Sequence, residues 1–277
     1  MSDHASIEEQ RIDSPLGAMR LLADAHGLTG IYFVGQKYEP PVTAQPVRPS
    51  KVLRLTADWL QAYFAAQALP AAPALSPGQG TAFQREVWTA LQAIPPGTTR
   101  SYGELAGLLG RAGAARAAGA AVGRNPWSVL VPCHRVTGRS GQLTGYAGGL
   151  GRKAALLALE KGQALPWRRV AKAYRTQYHL PVEVLAGEVV HWLPHPDHGE
   201  YPGWAWGQAG ERLGWLPRDW FGPGAAHSVA RRSYSARELD ADPGDRVLEL
   251  DAFGGWALLR HADHRVGWLP LSHLAPA

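Results

Sequence analysis

The chain has 277 residues, of which 45% are hydrophobic and 18% charged, with a single cysteine and a net charge of +5. This length allows about two domains, and one cysteine excludes both an intramolecular disulfide and a Cys-rich zinc site, so a reducing compartment is expected. The N-terminal residues lack the apolar segment of a secretion signal, and no run approaches the ~18 apolar residues of a membrane span, so a cytoplasmic protein without a membrane partner is expected.

The charge is uneven. Residues 83–162 carry ten Lys/Arg against three Asp/Glu, a net +7, while the segments before and after are each −1. A concentrated basic segment suits a polyanion, although charge alone equally allows a solvated basic face.

In chain order, Ala18–Leu22 and Gly27–Val34 alternate like the strands of a hairpin, and Val52–Phe64 has helical spacing. The Pro/Ala/Gly-rich stretch Ala68–Gly80 reads as a connector. In TAFQREVWTALQAI, Phe83, Val87, Trp88, Leu91 and Ile94 form one helical stripe, with Thr81 as N-cap and Pro95-Pro96-Gly97 as terminator. SYGELAGLLG predicts a short helix with Ser101 as N-cap and Glu104 at the capping-box position. A Gly-containing turn and the small-residue helix ARAAGAAVGRN follow. Two short helices so joined are the pattern of a helix-turn-helix, and equally of ordinary helix packing.

From about Leu165 the chain holds eight of its eleven tryptophans and an internal repeat. Gly203-Trp204 matches Gly255-Trp256, and Gly214-Trp215-Leu216-Pro217 matches Gly267-Trp268-Leu269-Pro270. Short β-runs with Gly/Pro turns, repeated about every fifty residues, predict two small all-β barrels that resemble tandem SH3-like domains. The tyrosine usual after the late proline is missing, which speaks against ordinary polyproline recognition. A protein-interaction module is the functional expectation for 165–277, with an unidentified partner. The histidines of HWLPHPDHGE (His191, His195, His198) fit no standard metal template, so no metal is expected.

The only thiol stands in NPWSVLVPCHRVTG, at the end of an apolar run that reads as a buried strand. A lone cysteine is most often an inert core residue. Here His134 is adjacent, and a thiol becomes strongly nucleophilic only with a base or positive charge nearby. Adjacent strand residues face opposite sides, so His134 can serve Cys133 only if the chain turns, which Pro132 permits. Downstream, Tyr146, Gly148 and Gly149 suit a tight pocket. Glu160 sits near the C-terminal end of an apolar helix, where a carboxylate is disfavoured and needs a buried partner or another reason, although taken by itself it reads as a surface glutamate.

PCHRV at Pro132–Val136, GRNP before it, TGYAGGL after it and GTTRSYGELA before the helix pair together resemble the O6-alkylguanine-DNA alkyltransferases over residues ~10–162. The resemblance implies single-use, cofactor-free transfer of an alkyl group from O6-alkylguanine in double-stranded DNA, with O4-alkylthymine as a further candidate substrate. It makes Cys133 the acceptor, His134 its partner through a water, Glu160 the residue orienting His134, and Asn125 the pin of the preceding turn. Tyr102 would act on the target phosphate and base, and Arg116 would fill the gap left by the flipped nucleotide in the minor groove. Ser101, Arg124, Ala117, Ala118 and Gly119 complete the implied DNA-facing set. Tyr146, Ala147, Gly148 and the carbonyls of Cys133 and Val136 would line the pocket; Ala147 stands where some relatives have serine.

Two rival readings remain: a Cys-His-Glu hydrolase, which would turn over, and a damage-binding relative without transfer, against which the intact Cys133 argues. The expected fold is α+β: an N-terminal α/β domain with antiparallel sheet (1–76), an α-rich helix-turn-helix catalytic domain (77–164), and SH3-like barrels over 165–224 and 225–277.

Overall fold

The alternating start of the chain builds a three-stranded antiparallel sheet, β1 (Glu8–Ile12), β2 (Met19–Asp24) and β3 (Gly27–Phe33), with β2 in the centre. The computed structural model describes residues 7–41, 49–176, 178, 180–197 and 201–276. The hairpin β2–β3 forms as expected, but both strands are buried at nearly every position instead of alternating; β1 is an addition, its polar EEQRI giving no apolar signal. It is tied across the sheet by a bidentate ion pair, Glu9 accepting from Arg20 Nε and Nη2 at 2.8 Å each. That pairing is what lets Arg20 be buried.

Helix α1 (Lys51–Phe64) lays Leu53, Trp59, Leu60 and Tyr63 into the core. Helix α2 (Ala82–Gln92) starts at a capping box in which Thr81 accepts from Gln84 N and the Gln84 side chain accepts from Thr81 N. A two-residue strand β4 (Arg100–Ser101) leads into α3 (Tyr102–Leu108), capped by the expected Ser101–Glu104 box. Helix α4 (Ala115–Gly123) packs on both α2 and α3. Strand β5 (Val136–Thr137) pairs in parallel with β4, and α5 (Leu150–Glu160) closes this part of the chain.

The expected buried strand before Cys133 is not one. Trp127 bridges β3 at Ile31, and the chain then turns tightly, with Leu130 N donating to the Ser128 carbonyl and Val131 N to that of Trp127. Val129 sits at φ 71°, a left-handed conformation costly for a β-branched residue, and is held there by burial. An apolar run without alternation marks burial, not conformation, which is why it read as a strand.

These elements form one unit, Met1–Val34 with Thr43–Leu165; the second comprises Gly35–Val42 and Pro166–Ala277. The first is not divided at residue 76, and Gly35–Val42 departs from the expected N-terminal domain. The reason for the latter is chemical: the buried Glu39 carboxylate accepts from Gly35 N at 3.0 Å and Ser233 N at 3.1 Å.

The second unit contains β6 (Trp167–Arg169), β7 (Glu183–Val184), β8 (Val189–Trp192), β9 (Trp204–Ala209), β10 (Arg212–Pro217), β11 (His227–Val229), β12 (Tyr234–Ser235), β13 (Arg246–Phe253), β14 (Trp256–His261) and β15 (Val266–Pro270). They form antiparallel sheets in the orders β10-β9-β8-β11 and β15-β14-β13-β6, plus the pair β12-β7. The expected cut at 224/225 fails at both ends. β6, assigned to the first repeat, pairs with β13 of the second; β12, assigned to the second, pairs with β7 of the first. The architecture is α+β, and among the described residues no helix is long and apolar enough to cross a membrane.

Candidate active site

The tight turn delivers Cys133 into a 3₁₀ turn, Cys133–Arg135, where successive side chains are no longer forced to opposite faces. Asn125 holds both ends of this segment. Its Oδ1 accepts from Trp127 N at 3.1 Å, and its Nδ2 donates to the Val131 carbonyl at 2.8 Å and lies 3.1 Å from Cys133 Sγ. Replacing Asn125 with alanine leaves the buried Trp127 N unpaired, at about 1–3 kcal/mol, and takes from the Val131 carbonyl one of its two donors, so a lower melting temperature and slower alkyl transfer are expected together. Unchanged stability in a thermal melt would remove Asn125 from this role.

Burial pushes the Cys133 thiol up, while the Asn125 hydrogen bond and the Lys153 charge oppose it. The resting group is therefore a thiol, and a proton acceptor is required. His134 is fully buried, and its Nε2 lies 2.8 Å from Glu160 Oε1. Burial pushes its imidazole down more than the Glu160 carboxylate raises it, so the ring is neutral. With Nε2–H donating to Glu160, Nδ1 is the acceptor nitrogen.

Glu160 is the hub. Besides His134 it accepts from Tyr63 Oη at 2.8 Å, Gly97 N at 3.1 Å, and Arg135 Nε and Nη2 at 2.9 and 2.7 Å. Burial alone would raise its carboxyl, but the hydrogen bonds from His134 and Arg135 win and hold it well below the usual carboxylate range. Arg135 also donates to the Ile94 carbonyl, anchoring the turn to the end of α2. Neither Tyr63 nor Arg135 was expected from sequence as a partner of Glu160. The pointer was Glu160 itself, a carboxylate at an apolar helix end needing a buried partner; neither partner's identity follows from spacing, since Tyr63 lies 97 residues away.

Lys153, also missed, is fully buried one turn into α5, its ammonium donating to the carbonyls of Val136 and Thr144. Burial pushes its amine down to about 8, against the pull of Cys133. The Val136 carbonyl, expected to receive a guanine amine, is thus already bonded to Lys153, and the Cys133 carbonyl accepts from Val136 N.

The remaining expected wall residues gather here. The Tyr146 ring stands edge-on to His134 at 6.5 Å. Gly148 is fixed by space: a Cβ there would lie 2.7 Å from the Tyr146 ring and 3.2 Å from Phe33. Ala147 is half-buried beside them. The Tyr102 hydroxyl lies 3.2 and 3.1 Å from the carbonyls of Thr144 and Gly145, and burial keeps its phenol protonated.

On the helix pair, Arg116, Ala117 and Arg124 are exposed, and Arg116 makes no ion pair among the described residues. Gly119 packs beside Tyr102, a Cβ there meeting the ring at 3.4 Å. Ala118 is corrected: it is fully buried against the neighbouring helices and has no side chain to offer DNA. The Ser101 hydroxyl is occupied in the cap, accepting from Glu104 N at 3.1 Å. Of the three histidines considered for a metal, His198 lies outside the described residues. His195 packs on Trp206 and Trp215 at 4.6 and 4.8 Å, and no group of His, Cys, Asp or Glu among the described residues is placed to hold a metal.

A basic helix pair beside a buried thiol, with a neutral imidazole held by a carboxylate, defines a cysteine-dependent enzyme acting on DNA. The family model described as "6-O-methylguanine DNA methyltransferase, DNA binding domain" matches residues 82–162. The methylated-DNA–protein-cysteine methyltransferase of Mycolicibacterium paratuberculosis is 48% identical over 155 residues, 56% of this chain and 93% of that protein. That of Salmonella typhimurium is 42% identical over 168 residues, covering 55% and 94%. A crystal structure of Mycobacterium tuberculosis OGT in complex with DNA superposes with a TM-score of 0.52 at 44% identity, covering 57% of this chain and 96% of that one. The chain belongs to the methylated-DNA–protein-cysteine methyltransferase family.

Proposed function

We propose that this chain repairs DNA by direct reversal, taking the alkyl group of a flipped O6-alkylguanine onto Cys133. The carrying observation is that the buried Cys133 thiol, 3.1 Å from Asn125 Nδ2, shares a 3₁₀ turn with a neutral His134 whose Nε2 is held by Glu160 and whose buried Nδ1 has no hydrogen-bond partner. Sulfur attacks the alkyl carbon in line; the S–C bond forms as the C–O6 bond breaks, and its electron pair goes to guanine. His134 Nδ1 takes the thiol proton, directly or through a bridging water, and Tyr102 donates a hydrogen bond to the leaving base. The imidazolium then gives up its proton to solvent and the guanine anion takes one from it, so that in sum the alkyl group moves from oxygen to sulfur and one proton from the thiol to guanine. No cofactor enters this balance. The thioether has no low-barrier return to thiol, so each molecule acts once.

The target atom lies inside the duplex, so the nucleotide must be flipped, and to exposed Arg116 on α4 we assign the filling of the space it leaves. An Arg116→Ala variant is expected to transfer roughly 10–100-fold more slowly from duplex DNA, matching an unstacking cost of a few kcal/mol, with a smaller loss on single strands. Equal losses on both would remove the insertion role. Arg124 adds a phosphate contact.

The deciding experiment mixes the full chain with excess duplex oligonucleotide containing O6-methylguanine. One methyl group per protein molecule, found by mass spectrometry on the Cys133 peptide, is expected. Repeated turnover would instead favour a hydrolase.

For residues 165–277 we infer a pair of SH3-like barrels serving as an interaction module. The repeated Gly-Trp-Leu-Pro strands and the two four-stranded antiparallel sheets support that reading.

A further inference from the structure

The second unit contains a cavity of about 240 Å³ with predominantly aromatic walls. Tyr174, Tyr178, Tyr201, Trp215, Trp256 and Trp268 contribute rings, and Glu238 is the one charged side chain lining it among the described residues. The rings are set in place by their polar handles and by one another. Trp268 Nε1 donates to the Ser235 carbonyl at 2.9 Å, the Tyr234 hydroxyl donates to that of Trp215 at 3.0 Å, and Tyr174 stands edge-on to Trp256 at 5.9 Å. Glu238 Oε2 accepts from the Tyr174 hydroxyl at 2.7 Å, and Glu238 has no Lys, Arg or His partner among the described residues. Arg237, next in the chain, turns to Glu183 at 3.4 Å instead.

A half-buried carboxylate without a counter-ion, among ring faces whose quadrupoles also present negative potential, attracts a cation. The walls select which one. A hard cation such as Ca²⁺ or Mg²⁺ needs about six oxygen ligands, which this lining lacks, and no His, Cys, Asp or Glu cluster among the described residues is placed to hold a metal. A guanidinium is best held by both oxygens of a carboxylate, and one of Glu238's is engaged by Tyr174. A cation with an apolar surface and a diffuse charge fits both the rings and the single free oxygen.

We propose that this cavity binds an alkylated ammonium group, either of a small free cation or at the end of a methylated lysine side chain. The test titrates the full chain with choline, with its neutral carbon isostere 3,3-dimethylbutan-1-ol, with a peptide bearing trimethyl-lysine, and with ethylguanidinium, following tryptophan fluorescence. Saturable binding of choline or the peptide, at least about tenfold tighter than the isostere and tighter than ethylguanidinium, is expected. The tighter of the two ammonium probes identifies the source. Glu238→Gln, which keeps the Tyr174 contact, should weaken binding about tenfold, and Tyr178→Leu, at the exposed rim, should also weaken it. The proposal is overturned if neither ammonium probe binds, if the isostere or ethylguanidinium binds as well, or if both variants, folded by circular dichroism, bind like the parent.

Discussion

A Cys133→Ala variant is expected to bind duplex DNA containing O6-methylguanine about as well as the parent while transferring nothing, a rate loss of at least about 10³-fold. The reason is that sulfur is the strongest nucleophile here: the neutral His134 offers only a weakly nucleophilic ring nitrogen, and the Lys153 amine donates to two carbonyls. Binding survives because exposed Arg116 and Arg124 on and beside α4 do not depend on the sulfur. Stability changes little, since the lost side chain is small and its Asn125 contact is one of several. Gel-shift affinity and a single-turnover methyl-transfer assay read the two effects separately. Transfer that persists would refute the assignment of Cys133.

The second large effect is expected at Glu160. Glu160→Gln keeps the shape but removes the charge facing Arg135 and His134, leaving the buried Arg135 uncompensated. Breaking one partner of a buried pair costs about 3–5 kcal/mol, a fall of roughly 6–20 °C in the melting temperature of the first unit. Transfer should fall as well, because a misoriented imidazole cannot take the thiol proton. The pH dependence has a definite sign. The folded state holds Glu160 ionised below the usual carboxylate range, so its contribution is complete above that range and is lost as pH falls through it. His134 acts in the same direction: its folded imidazole resists protonation, so below about pH 6.5 the unfolded chain binds more protons and stability falls. Denaturation midpoints of the parent should therefore decline steadily from neutral to acid pH, and those of Glu160→Gln should decline less at the acid end. Parallel curves would exclude the carboxylate as their source.

Much of the site was legible because its signals are local. The caps at Thr81 and Ser101 are read within four residues, and Asn125 stands only eight residues from Cys133. The contacts that fix Glu160 are not local: Tyr63 comes from a different helix, and Arg135 points back to the end of α2. The turn at Val129 was hidden because burial on all sides gives an apolar run the same appearance in a strand or a turn. Ala118 was placed on DNA because small residues suit both a groove-facing surface and a tight helix–helix contact, and here packing won. Glu39, a polar residue in a Pro-rich loop, gave no hint that it would be buried against Ser233.

The exchange of β6 and β12 between the repeats has a consequence for how the second unit is made and divided. The duplicated sequence and the closed sheets are out of phase: each sheet is completed by chain from outside its own repeat. A fragment ending at residue 224 would carry β6 without β13, and β7 without β12, leaving unpaired edges open to aggregation. Synthesis must reach Leu248 before β6 finds its whole neighbour, some eighty residues later. The repeats are thus two in sequence and one in folding.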